Sequence, residues 1–108
     1  MRIEDLDNKQ FELFGSKYTI KFVDTLDEPD SDISHYGLTT NPKYLIEIAK
    51  NVKGNLQSED ELYLTLVHEI VHVILDVGNY CNTSGDEPLV EWTARCIISL
   101  LKQNILCK

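Results

Sequence analysis

The chain has 108 residues, a formal net charge of −8 and a hydrophobic fraction of 43%. This length predicts one domain, residues 1–108, with one modest core. The acidic surface repels phosphate backbones, so no nucleic acid is expected as a partner. No apolar stretch approaches the roughly 18 residues of a membrane span, so no membrane partner is expected either.

The N-terminal segment and the cysteines both favour a cytoplasmic protein. MRIEDLDNKQ is polar and acidic and lacks the pattern of a signal peptide. Cys81, Cys96 and Cys107 cannot all pair within one chain and are not spaced as a metal knuckle, so we expect reduced thiols. Cys96 falls in a helical apolar pattern and is expected in the core.

The first half of the chain alternates apolar and polar residues with the period of β-strands. Four strands are expected, at 10–14, 17–24, 35–40 and 43–50. A two-residue hairpin turn is expected at Gly15-Ser16 between the first two strands, and another turn at Asn41-Pro42 between the last two. A polar loop, 26–34, separates the two pairs.

The second half begins with the pattern of a long helix. Ser58 and Glu61 form the capping-box signature S-x-x-E in front of an apolar run. The run ends at Gly78, a residue typical of helix C-termini. Because the segment is apolar nearly all round, we expect this helix to be buried on most sides.

A second helix is expected after a short loop at 79–86. Pro88 suits its first turn, since the missing N–H has no helical partner there, and the pattern continues to about Gln103. Strands followed by helices favour the α+β class. We therefore expect a small antiparallel or mixed sheet of three to four strands packed on two main helices.

Residues 68–72 of the first helix read His-Glu-Ile-Val-His, an H-E-x-x-H motif. His68 and His72 lie one turn apart on one helix face and can bind one metal ion. Glu69 can act as a general base toward water, and zinc suits such ligands. Two core histidines with satisfied hydrogen bonds are the alternative, but burying three such groups without a metal is costly.

A catalytic zinc site needs a third protein ligand. Glu87 and Glu91 begin the second helix one turn apart on the face that the small Ala94 continues. Antiparallel packing of the two helices would bring these glutamates near His72. Either can bind the metal while the other bonds the free N–H of a ligand histidine, although both also suit a helix N-terminus as acids. His35 is a more remote alternative.

The segments HEIVHVIL and EPLVEWTARCIISLLKQN resemble the small gluzincin-type zinc metallopeptidases of phages and prophages, which are similar to the ImmA/IrrE family. The strand segment HYGLTTNPKYLIEIAK also resembles the sheet before their zinc helix. The resemblance covers 18–104 loosely and 58–104 well. It implies a minimal zincin-like fold with one zinc ion, His68 and His72 as ligands, and Glu69 as the residue that activates water.

The second motif of that family, E-x-x-A-N-x-F-A, is matched only in part. Val90, Glu91 and Thr93 stand where the family has alanine, asparagine and phenylalanine. Aligned to this motif, Glu87 takes the position of the third ligand, whereas the general gluzincin pattern E-x-x-A selects Glu91. Both glutamates therefore remain candidates.

The resemblance implies hydrolysis of a peptide bond in a protein or peptide substrate, such as a repressor, by a phage or mobile-element enzyme. In zincins a sheet-edge strand usually holds the substrate, which assigns that role here to 35–40 or 44–50. Gly37 would permit close backbone approach. The candidates for stabilising the oxyanion are His35, Tyr36 and Tyr80.

Two other functions use the same residues. One is a zinc-bound but catalytically weak module that binds a partner protein. A purely structural zinc site prefers four protein ligands and needs no general base, so Glu69 favours the enzyme. The other is a hydrolase of a non-peptide bond, which these residues do not distinguish from a peptidase.

Overall fold

The described part of the chain, residues 2–29, 32, 34–40 and 43–103, forms strands followed by helices in a computed structural model. The strands are β1 (Gln10–Leu13), β2 (Ser16–Val23), β3 (Gly37–Thr40), β4 (Leu45–Ala49), β5 (Asn51–Val52) and β6 (Asn55–Leu56). The helices are α1 (Glu59–Val77), α2 (Cys81–Ser84) and α3 (Glu87–Lys102), and a 3-10 helix, Ile3–Leu6, precedes them. The predicted α+β class is confirmed.

The main sheet is mixed and has the strand order β1-β2-β4-β3. β1 pairs with β2 and β3 with β4 in antiparallel fashion, whereas β2 and β4 are parallel. β4 is therefore an interior strand with both edges paired. The expectation that 44–50 could serve as a substrate-binding edge is wrong, and β3 is the edge strand on that side.

The turn between β1 and β2 lies one residue earlier than predicted. Phe14 and Gly15 are its central residues, with φ of 49° and 88°, and Leu13 pairs with Ser16. Positive φ at both positions is the mark of a type I′ turn, which matches the twist of the flanking strands. The glycine thus takes the second central position, and the predicted turn at Asn41-Pro42 lies outside the described residues.

Both main helices begin where the sequence predicts. The Ser58 N–H donates to Glu61 Oε1 at 3.0 Å and the Glu61 N–H donates to Ser58 Oγ at 3.2 Å, so the capping box is present. Gly78 caps α1, but the left-handed φ of 64° belongs to Asn79. Asp86 caps α3 by accepting the N–H of Leu89 at 3.3 Å, and a proline occupies its first turn.

Several short elements were not predicted. The loop expected at 79–86 contains α2, and the segment after β4 forms the small β5-β6 hairpin. Ile3, in the polar N-terminal segment, is 1% exposed and belongs to the core. Elements of two to four residues carry too few positions for a period to be recognised.

α1 lies between the sheet and α3 and contacts both. Ile46 and Ile48 of β4 pack on the sheet side with Leu62, Leu66 and Val73 of α1. On the α3 side, Val90 and Ala94 are fully buried. This is the close approach that the small residue predicts.

Two burial expectations are met only in part. Ile74 is 50% exposed, so α1 is less buried than its composition suggests. Cys96 is a free thiol and is half-buried rather than in the core. No helix among the described residues is long and apolar enough to span a membrane.

Replacing Ser58 by alanine is expected to lower the free energy of unfolding by about 1 kcal/mol, because one N-terminal N–H of α1 loses its acceptor. Urea titration would measure the change.

The hydrogen bonds from Ser58 hold the pKa of Glu61 below its ordinary value. The contribution of that carboxylate is therefore present at neutral pH and lost as pH falls through the lowered pKa.

Ser99→Ala is the matched control, because it changes an exposed serine inside α3 and alanine favours a helix interior. No loss of stability is expected for it. Equal stability of Ser58→Ala and the parent would contradict the capping role.

Candidate metal centre

His68 and His72 project from one face of α1 toward α3. Their ring centroids are 4.9 Å apart, and the two Nε2 atoms are separated by 3.2 Å. The spacing follows from the helix, since residues i and i+4 stand one turn apart on the same side. Both side chains are largely shielded, with 18% and 16% of their surface exposed.

The first turn of α3 brings a carboxylate to both rings. Glu87 Oε2 lies 2.9 Å from His68 Nε2, and Glu87 Oε1 lies 3.0 Å from His72 Nε2. Helices α1 and α3 run antiparallel: Glu87 meets His72 and His68, and Asp60 at the other end of α1 meets Lys102 at 3.8 Å. The residues that the sequence places far apart are thus adjacent in space.

These three residues form a group that could bind a metal ion. Their ligand atoms all lie within 4.8 Å of one another. A tetrahedral zinc ion with bonds of about 2.0–2.1 Å holds its ligand atoms roughly 3.3–3.4 Å apart. In this structure the two histidine nitrogens are 3.2 Å apart, which differs from that spacing by about 0.1–0.2 Å. They lie 2.9 and 3.0 Å from different oxygens of Glu87, so the nitrogen and oxygen donors present suit such an ion.

The second nitrogen of each ring, Nδ1, faces away from Glu87, and the two Nδ1 atoms have different partners. Glu91 Oε1 lies 3.1 Å from His68 Nδ1, and Ser84 Oγ lies 2.9 Å from His72 Nδ1. The second oxygen of Glu91 accepts a hydrogen bond from Arg95 at 3.1 Å. Both rings therefore turn Nε2 inward to Glu87 and Nδ1 outward, and Glu91 lies on the outer side.

Glu69, between the two histidines in sequence, contacts the sheet. It is 8% exposed, and its Oε1 accepts a hydrogen bond from the Thr39 hydroxyl at 2.8 Å. Thr39 belongs to the edge strand β3, so α1 and the sheet are joined through this carboxylate. Glu69 nevertheless lines the same cleft as the two histidines.

The cleft is an open groove of about 1380 Å³. Its floor is α1. One wall is the edge strand β3 together with the residues before it, and the other wall is the face of α3 that lies toward α1. Gly37 makes the close contact with the floor, because a Cβ there would lie 2.8 Å from Thr65 Cγ2 and 3.0 Å from Glu69 Cγ. The close approach expected at this glycine is thus to the helix.

The residues predicted as a more remote ligand or as stabilisers of the oxyanion lie apart from the metal group. His35, the third histidine, lines the cleft but lies outside the metal group, with Nε2 2.8 Å from Glu28 Oε1. Tyr36 lines the cleft and is 57% exposed. Tyr80 is not among the described residues that line the cleft; its ring lies against Gly78 instead.

Three residues at the site were not identified from the sequence: Thr39, Ser84 and Arg95. Serine and threonine are common and have no motif spacing here, so no pattern distinguishes these two from surface residues. Arg95 stands four residues after Glu91, and an acid–base pair at that spacing on a helix is a recognisable signal.

The structure therefore establishes a His68, His72 and Glu87 group that could hold a metal ion, in a cleft that also contains Glu69. Comparisons with family models, with curated proteins and with solved structures gave no match for this chain.

Proposed function

We propose that this protein is a zinc-dependent metallopeptidase that hydrolyses a peptide bond in a protein substrate. The observation that carries the proposal is the convergence of two H-E-x-x-H histidines and one glutamate within 4.8 Å, beside the glutamate between the histidines. The resemblance of 58–104 to the ImmA/IrrE-like gluzincins supports it. That resemblance favours a phage or mobile-element protein acting in the cytoplasm.

In this proposal, His68, His72 and Glu87 are the zinc ligands. Glu87 is preferred over Glu91 because its two oxygens approach the inward Nε2 atoms at 2.9 and 3.0 Å. Glu91 approaches only the outward Nδ1 of His68, at 3.1 Å. Its role is to orient that ring, as carboxylates commonly do behind metal-bound histidines.

Three ligands leave a fourth position, which suits catalysis. A zinc ion held by these three residues would supply a Lewis acid that lowers the pKa of water and polarises a carbonyl oxygen. Glu69 takes a proton from the attacking water and passes it to the leaving amine, so that water is added across the C–N bond. The Thr39 hydroxyl, 2.8 Å from Glu69 Oε1, holds the base in one orientation.

The outer edge of β3, which pairs with no described strand, suits an extended peptide. The Ala49 N–H donates to the Tyr36 carbonyl at 2.9 Å, and pairing alternates along an antiparallel ladder. Residues 36, 38 and 40 therefore bond to β4, while Gly37 and Thr39 turn their backbone groups toward the outer edge. A substrate segment added there as a further strand would pass over Glu69 and the histidines.

A zinc-bound module that binds a partner protein without cutting it is the second candidate. The burial of Glu69 at 8% exposure favours it, because a base held against the sheet is also what a purely structural glutamate would show. The two candidates share the metal ligands and differ in whether Glu69 is needed for turnover.

The protein is expected to carry one zinc ion per chain, and His72→Ala is expected to lose it, because two remaining ligands hold zinc poorly. Elemental analysis after gel filtration measures the stoichiometry. His35→Ala is the matched control, since His35 lies outside the group, and it should keep the metal. Absence of zinc from the parent would exclude the proposed centre.

Glu87→Ala is expected to weaken zinc binding more than Glu91→Ala does. Loss of a residue that only orients a ligand typically costs about 10–100-fold in metal affinity, and loss of a ligand should cost more. Competition with a chromophoric chelator measures both constants. The reverse order would assign Glu91 as the third ligand.

Glu69→Gln is expected to retain zinc and lose hydrolysis, because the amide cannot accept the proton from water. A proteome-derived peptide library, with new termini counted by mass spectrometry, offers many different peptide bonds in one reaction. Cleavage by the zinc-loaded parent alone supports the enzyme. A zinc-loaded parent that generates no new termini would support the binding module.

A further inference from the structure

We infer that Ser84 is the positioning residue of His72, and that the short helix α2 places it there. This inference rests on the proposed zinc centre and assigns a residue that the sequence motifs do not include. Ser84 Oγ lies 2.9 Å from His72 Nδ1. Ser84 is 6% exposed, so water has little access to compete for this hydrogen bond.

The chemistry of imidazole determines the direction of the bond. A neutral ring carries one N–H and one lone pair, and binding a metal through Nε2 places the proton on Nδ1. Nδ1–H then donates to Ser84 Oγ, which fixes both the tautomer and the rotation of the ring. Without this acceptor, a side chain that is 16% exposed would keep an unpaired donor and an unfixed ring.

The backbone of α2 holds the hydroxyl in place. Asn79, with φ of 64°, turns the chain after α1. The Ser84 N–H donates to the Tyr80 carbonyl at 2.9 Å, and the Asp86 N–H donates to the Thr83 carbonyl at 3.0 Å. Ser84 is thus carried by a hydrogen-bonded turn, and Glu87 follows three residues later. One hydrogen bond therefore orients His72 and anchors the connection that delivers Glu87.

The two histidines are held by unlike acceptors. His68 Nδ1 faces the carboxylate of Glu91 at 3.1 Å, whereas His72 Nδ1 faces a neutral hydroxyl at 2.9 Å. A carboxylate behind a ligand histidine raises its basicity, and a hydroxyl does so less. The structure thus assigns each ring its own orienting partner, and the effect of removing one partner should be confined to one ring.

The first measurement is zinc affinity by chelator competition. Ser84→Ala is expected to bind zinc about 10–100-fold more weakly than the parent, the usual cost of losing an orienting partner. Thr83→Ala is the matched control, because it removes a hydroxyl from the same short helix one residue earlier. It is expected to bind zinc like the parent.

The second measurement separates orientation of the ring from a general loss of structure. In the zinc-loaded parent labelled with ¹⁵N-histidine, the Nδ1–H resonances of both rings are expected to be visible, because each proton is held in a hydrogen bond. Ser84→Ala should lose the His72 resonance by solvent exchange and keep that of His68. Glu91→Ala should show the opposite pattern.

The possible outcomes distinguish this inference from the proposed function. A parent that binds no zinc refutes the metal centre itself. A parent that binds zinc, together with a Ser84→Ala variant of equal affinity and unchanged His72 signal, overturns the role of Ser84 and leaves the centre intact. Rapid exchange of the His72 Nδ1–H in the zinc-loaded parent would overturn it without any variant.

Discussion

The antiparallel contact between α1 and α3 is the constraint on which the site depends. Val90 and Ala94 are fully buried in it, and the small alanine lets the two helix axes approach. This contact places the first turn of α3 where the Glu87 side chain reaches both Nε2 atoms of the H-E-x-x-H motif. The apolar contact therefore brings His68, His72 and Glu87 together. Shielding these polar groups from water would be costly if they were not paired with one another.

Glu69 takes part in a second contact, which joins α1 to the sheet. Gly37 lets β3 lie close to the helix, and Thr39 meets the carboxylate from that strand. α1 thus presents two adjacent motif positions to two different layers: His68 to α3 and Glu69 to β3. Consecutive helix residues point about 100° apart, so neighbouring residues are suited to serve opposite walls of one cleft.

Much of this arrangement was predictable because it is local in sequence. The capping box at Ser58, the proline in the first turn of α3 and the motif at 68–72 each depend on residues within one or two turns. The strand order depends on the parallel pairing of β2 with β4, which no local pattern encodes, so the edge strand could not be identified. Glu87 and Glu91 share one helix face, and only the axial offset of the two helices distinguishes them. Ser84 and Thr39 act through single hydrogen bonds and leave no periodic signal.

Glu87 is the first residue of α3, and 64% of its side chain is exposed. Helix ends open more readily than helix centres, so the proposed third ligand lies on a turn that is less stable than the middle of α3. An ion held by His72 and Glu87 would close the intervening segment, 73–86, into a loop, as a covalent cross-link does, and would remove chain entropy from the unfolded state. The metal centre would then cross-link the two helices, and the availability of metal would control how long the N-terminal turn of α3 stays folded.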